Sequence, residues 1–129
     1  MTNKLELYKC NICGNVIEVL ISGDGHPVCC GEEMVRIEPK NDSLNSPDLT
    51  EKHSPIPDGD VVRMDNHPME DNHYIMFVQA ISKDKNEIMT KYFYPSDKVE
   101  MLTCIDKNDI TARSYCNIHG LFVSNKENL

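Results

Sequence analysis

The sequence predicts an all-β protein, with a small metal-stapled domain followed by a β-sandwich or small barrel. Short apolar runs recur between turn signals along the whole chain, and no stretch keeps a helical apolar period over several turns. Four cysteines stand near the start as a C-x2-C pair and an adjacent pair, each followed at once by a glycine. The composition is ordinary for a globular chain, at 40% hydrophobic and 26% charged. Its 129 residues suffice for one modest domain, or for one small domain and a tiny metal-bound one.

The elements follow in order. "LELYK" at 5–9 and "VIEVL" at 16–20 are strand-type runs, "SGDG" at 22–25 is a turn, and "MVRI" at 34–37 is another short run. "EPKNDSLNSPDLTEK" then combines two prolines with Asn, Asp and Ser, and holds only isolated leucines. It reads as a linker, which divides the chain into residues 1–37 and residues 38–129, with 38–49 as the connection. Six further strand-like runs follow: Val61–Met64, His73–Ile81, Ile88–Tyr94, Val99–Ile105, Ala112–Tyr115 and Leu121–Val123. "PDGD" at 57–60, "KDKN" at 83–86 and "PSD" at 95–97 supply turns, and close spacing of short strands points to a sandwich or barrel.

Charge and termini narrow the partners. With 13 basic and 21 acidic residues, the formal charge of −8 argues against nucleic acid, whose phosphates need a positive surface. No basic run marks a membrane surface, and the most apolar run, "VIEVLI", is interrupted by Glu18 and far too short to span a bilayer. "MTNKLELYKC" lacks the apolar core of a signal peptide, so the expected compartment is the cytoplasm, where thiols stay reduced. Six cysteines in such a chain are better read as ligands than as disulfides.

Cys10 and Cys13 form the first arm ("CNIC"), and Cys29 and Cys30 follow after fifteen residues. Four thiolates suit a tetrahedral centre, and spacing alone admits zinc or iron equally. A domain of fewer than forty residues has too little core to stand alone, so a staple is physically needed. A vicinal disulfide is opposed by the reducing compartment. The adjacent pair should pinch one S–metal–S angle and distort the tetrahedron.

The second constellation is rich in histidine. His53 ("TEKHSP"), His67 ("NHPME"), His73 ("DNHYI") and His119 ("YCNIHG") all lie near turns in the second region, and Cys116-x2-His119 is a compact thiolate–imidazole chelate. An isolated histidine is more often a surface or hydrogen-bonded residue than a ligand, and it is the joint pattern that points to metal. His26 is expected to be a loop residue, and Cys104 in "MLTCIDK" a buried small hydrophobe rather than a ligand.

The runs "LYKCNICGNVIEVL…VCCGEEM", "TEKH", "HPMEDNHYI" and "TARSYCNIHG" together closely resemble the desulfoferrodoxin family of superoxide reductases, over nearly the whole chain. The resemblance implies a desulforedoxin or rubredoxin-like domain followed by an immunoglobulin-like β-sandwich. It implies two non-haem irons. Cys10, Cys13, Cys29 and Cys30 would hold the first, while His53, His67, His73 and His119 would ring the second with Cys116 as axial thiolate. The activity implied is reduction of superoxide to hydrogen peroxide, a detoxification under oxidative stress, with electrons from rubredoxin or a similar donor, commonly in a homodimer. A non-catalytic rubredoxin-like electron carrier and a zinc-bound structural module are the competing readings.

Five protein ligands would leave one position open for an inner-sphere reductant, and a thiolate opposite it would push electron density toward that position. Superoxide is an anion that a chain of net charge −8 should repel, so a local cation is required at the mouth. Lys52, directly before His53, is the natural choice, set against the commoner fate of a solvated surface lysine. Glu51 resembles the family glutamate that caps the oxidised metal. One departure stands out: only thirteen residues separate His53 from His67, fewer than the family leads one to expect, after a long linker.

Overall fold

A computed structural model describes residues 1–40, 54–106 and 108–124, and none of these is helical. The chain divides into two compact units, Met1–Glu38 and Pro39–Leu129.

The first unit contains β1 (Leu7–Lys9), β2 (Val16–Glu18), β3 (Val28–Cys29), β4 (Glu32–Glu33) and β5 (Val35–Arg36). β1 is the centre of an antiparallel sheet in the order β2-β1-β5, with Tyr8 opposite both Ile17 and Arg36. β3 and β4 form a separate hairpin in which Cys29 faces Glu32. The two residues between them, Cys30 (φ 56°) and Gly31 (φ 76°), are both left-handed, the condition for the tight turn whose twist matches a hairpin. The three runs expected in this unit are strands, each shorter than expected. The β3–β4 hairpin is an addition, since two-residue strands carry no alternation to read. Leu5 and Leu7 are buried, and one core cluster joins Tyr8, Cys10 and Met34, with Val19 and Cys29 packed against it. Two of the five residues in that cluster are cysteines, so the thiols sit where other domains keep aliphatic side chains.

The second unit contains β6 (Ile56–Asp58), β7 (Val61–Arg63), β8 (Ile75–Ile81), β9 (Ile88–Tyr92), β10 (Glu100–Leu102), β11 (Thr111–Cys116) and β12 (Gly120–Val123). They form two antiparallel sheets, β10-β7-β6 and β12-β11-β8-β9. Val62 and Met101 from one sheet meet Ile75, Val78, Ala80 and Ala112 from the other in a single core. Each fully buried valine, isoleucine or methionine side chain there contributes about 1.5–3 kcal/mol, and the alanines less. The fold is thus all-β, a small cysteine domain followed by a two-sheet sandwich, one of the two architectures the strand pattern predicts and of the immunoglobulin-like class the resemblance implies.

All six strand-like runs of this region are strands. β6 is the surprise, because it begins the hairpin whose turn the sequence marks at 57–60. Its Pro57 pairs with Val62 from the edge of the three-stranded sheet, where a missing N–H costs no ladder bond. Lys40 adds a parallel bridge to Phe122, its N–H bonding to the Leu121 carbonyl at 2.8 Å. Among the described residues β9 and β10 are each the last strand of their sheet. Lys91 joins them, its Nζ donating to the Glu100 carbonyl at 2.9 Å and lying 5.3 Å from the centre of the Phe93 ring.

Cys104 corrects one expectation. It is exposed, not buried. From β10 onward Met101, Thr103 and Ile105 point inward while Leu102 is 71% exposed, so strand alternation puts residue 104 on the outside.

Candidate metal centres

The first centre is built by two turns. After β1, the C-x2-C loop folds back: the Gly14 N–H bonds the Cys10 carbonyl at 2.9 Å and the Cys13 N–H points at Cys10 Sγ at 3.5 Å. Gly14 takes φ 85°, a conformation that costs other residues about 1 kcal/mol or more. The second turn is the β3–β4 hairpin. Successive side chains of a strand point to opposite faces, so two adjacent cysteines cannot ordinarily serve one centre. The left-handed backbone of Cys30 breaks that alternation and brings its sulfur round to the side of Cys29, the two Sγ atoms lying 3.8 Å apart.

The four sulfurs lie within 4.8 Å of one another, with Cys13 and Cys29 at 3.6 Å. A tetrahedral thiolate site with metal–sulfur bonds near 2.3 Å has edges of about 3.8 Å, so the spacing suits a metal ion. All six cysteines are free thiols, and Cys29 and Cys30 are too far apart for a covalent bond. Electrostatics favour the same reading. Backbone N–H groups of Cys13 and then Ile12 lower Cys10 to about 6. Cys29 is pushed up to about 12 because it shares hydrogen bonds with Cys13, Cys10 and Cys30. One thiolate crowded by thiols is the arrangement a cation resolves, by displacing the remaining protons. Cys13 and Cys30 are exposed, while Cys10 is buried.

The second centre gathers residues from two ends of the sandwich chain. His67 and His73 lie on the segment between β7 and β8, Cys116 is the last residue of β11, and His119 lies on the turn between β11 and β12. Glu70 and His73 exchange backbone hydrogen bonds at 2.9 and 3.1 Å, closing a tight loop that fixes His73. The Met69 sulfur accepts the Ile75 N–H at 3.4 Å and packs against the core, holding the same loop down. On the other side, Cys116 pairs with Gly120, so residues 117–119 form a three-residue hairpin loop ending on a left-handed glycine, φ 85°.

The ligand-type atoms of His67, His73 and Cys116 lie within 4.8 Å of one another. His119 joins them: its ring centre is 5.1 Å from that of His73, and its Nδ1 is 3.8 Å from the Cys116 sulfur. His67 and His73 rings are 4.7 Å apart and nearly perpendicular. His67 Nδ1 lies 2.6 Å from the Pro68 carbonyl. A carbonyl only accepts, so Nδ1 carries the proton and Nε2 the lone pair, the tautomer a metal ligand needs. Burial, followed by the charges of His73 and His119, lowers His67 to about 4, which keeps the imidazole neutral. Burial also lowers His119, followed by the positive charges of His73 and Lys40. Cys116 is fully buried, and the His119 N–H faces its sulfur at 3.5 Å.

The structure therefore brings together Cys10, Cys13, Cys29 and Cys30 in one cluster, and His67, His73, His119 and Cys116 in another. Glu51, Lys52 and His53 lie outside the described residues. His26 is not part of the cysteine cluster, its Nε2 lying 2.9 Å from the Met34 carbonyl and its ring edge-on to Tyr8. Sequence reasoning missed Met69 and Asn117. The only available signal was their place between paired ligands, Met69 between His67 and His73 and Asn117 between Cys116 and His119.

Comparisons with known proteins agree with this geometry. Residues 2–37 match the family described as "Desulfoferrodoxin, N-terminal domain", and residues 45–125 match "Desulfoferrodoxin". The chain is 37% identical over 131 residues to a desulfoferrodoxin of Syntrophotalea carbinolica, covering 96% of this chain and 98% of that one. It is 36% identical over 126 residues to a desulfoferrodoxin of Nitratidesulfovibrio vulgaris, covering 93% and 95%. Its first part is 53% identical over 36 residues to a desulforedoxin of Megalodesulfovibrio gigas, which is 28% of this chain and 97% of that protein. The fold is like that of the superoxide reductase from Treponema pallidum, with a TM-score of 0.65 at 19% identity, over 97% of this chain and 100% of that one. The two clusters match the two iron centres of desulfoferrodoxins. This chain belongs to the desulfoferrodoxin family.

Proposed function

We propose that the protein is a superoxide reductase. Superoxide, one electron and two protons give hydrogen peroxide, with the electron drawn from rubredoxin or a similar small redox protein. The observation that carries this reading is the convergence of His67, His73 and His119 on the buried sulfur of Cys116. His53 is the fourth imidazole of the proposed set. When bound, iron supplies a one-electron couple and a coordination position for a small anion.

The protein's own part can be derived from its residues. Neutral imidazoles are ready to ligate without first losing a proton, and the lowered His67 and His119 are neutral at cellular pH. The His119 N–H aimed at the buried Cys116 Sγ would stabilise negative charge on that sulfur once it ligates a metal. Lys52 is the proposed cation at the mouth, drawing an anion toward a chain of net charge −8. Glu51 is proposed to cap the oxidised state. The cluster of Cys10, Cys13, Cys29 and Cys30 is proposed to hold the other iron, and a homodimer in the cytoplasm is the expected working form.

Pulse radiolysis of the iron-loaded protein with a reductant tests this directly. The expected result is fast second-order consumption of superoxide, slowing as salt rises, with one peroxide formed per superoxide and no dioxygen. One peroxide per two superoxides, with dioxygen released, would make it a dismutase instead. The exposure of Cys13 and Cys30 favours a second reading, a plain electron carrier working through the first centre. In that case superoxide would decay at its spontaneous rate, and the visible spectrum would show four-cysteine bands alone.

A further inference from the structure

Two ligands of the second centre sit on loops far apart in sequence, and the sheet that joins them is irregular where they meet. β11 and β8 pair residue for residue from Thr111–Ile81 to Tyr115–Phe77, and then the pairing skips Met76 so that Cys116 faces Ile75. A ladder that slips at this point does not by itself fix the sulfur of Cys116 against the ring of His73.

Asn117 takes over where the ladder slips. Its backbone N–H donates to the Tyr74 carbonyl at 3.2 Å. Its side-chain Oδ1 accepts the Tyr74 N–H at 3.0 Å, and its Nδ2 donates to the Asn72 carbonyl at 3.1 Å. Residues 72 and 74 are the two neighbours of His73, so one amide grips the histidine's backbone from both sides across 43 and 45 residues of chain. The chemistry is selective. A backbone N–H only donates and a carbonyl only accepts, so the side chain must offer one acceptor and one donor on a single short stem. Aspartate would set an oxygen against the Asn72 carbonyl, and leucine, of similar shape, would leave both partners without a bond.

We propose that Asn117 is the positioning residue of the second metal centre, a carboxamide clamp that locks the Cys116–His119 loop onto the His73 segment. This rests on the reading of that cluster as a metal site. The clamp acts on how tightly and in what geometry the site holds its ion, so metal retention and the thiolate spectrum report it more directly than turnover does.

The test uses the full-length, iron-loaded protein beside its Asn117→Asp and Asn117→Leu variants. Three readings are taken: the ferric-thiolate absorption of the His/Cys centre, its electron paramagnetic resonance, and the rate at which a chelator strips that iron. The four-cysteine bands serve as an internal reference. Both variants are expected to lose the second iron about tenfold faster or more. Their thiolate band and resonance anisotropy should shift while the reference bands stay fixed. Parent-like bands and release rates in both variants would overturn the clamp. If the second unit fails to fold in them, Asn117→Gln decides by the same readings, since it keeps both hydrogen-bonding groups on a stem one methylene longer. Recovery of the band and of slow release, in part or in full, supports the clamp, and a folded Gln variant that restores neither rules it out. A parent protein with no His/Cys band when iron-loaded would defeat the metal-site reading itself, a result distinct from any difference among variants.

Discussion

At the scale of single residues, the second centre depends on keeping histidines neutral in a buried place. His67 holds its Nδ1 proton on the Pro68 carbonyl, and burial lowers it to about 4 from an ordinary 6.5. The unfolded chain therefore binds a proton at this residue between those two values and the folded chain does not. By linkage, the metal-free protein loses stability as pH falls from about 6.5 to about 4, and His67 contributes no further loss below that. Urea unfolding of metal-free protein across this window should show the decline, and His67→Gln should flatten it. An equal slope in the variant would assign the pH dependence to other groups. Chemistry of this kind is written in residue types, which explains why the eight clustered ligands could be named from "CNIC", "CCG", "NHPME", "DNHYI" and "CNIHG" alone.

At the scale of elements, legibility depended on length. β8, with its seven residues, showed in the sequence as a long apolar run, while β3 and β4, of two residues each, did not. Cys104 was misjudged because residue type says small and apolar, whereas its exposure follows from register with Met101, Thr103 and Ile105. Met69 and Asn117 act through backbone partners, which no spacing rule reveals. Turn glycines are the converse case, since a glycine after a ligand pair is legible and its reason is conformational. Gly120, at φ 85°, closes the loop that presents His119, and a Cβ there would meet only the Lys40 Cε at 3.8 Å, an ordinary contact. Gly120→Ala is therefore expected to cost about 1–2 kcal/mol through backbone strain and not through a clash. Denaturant unfolding measures this, and a loss well below that range would mean that the loop relaxes into another turn.

At the scale of the whole molecule, two compact units each carry one cysteine-bearing cluster. In the first unit the cluster is part of a core of only a few residues, so its metal should be a folding requirement. In the second the sandwich has a core drawn from both sheets, and its metal should be an addition to an already stable fold. Cys13→Ser is thus expected to abolish the four-cysteine bands and loosen the first unit while the His/Cys band persists. Simultaneous loss of both bands would mean that the units do not hold their metals independently. Lys91 has a consequence of a different kind. An outermost strand presents unsatisfied amides on which a second chain can template, and a charged side chain there discourages such stacking. By tethering β9 to β10, Lys91 places its ammonium where a newcomer would have to lie. Lys91→Val should leave both spectra intact yet make concentrated solutions turn cloudy on warming, and light scattering that matched the parent would show that this flank is shielded by other means.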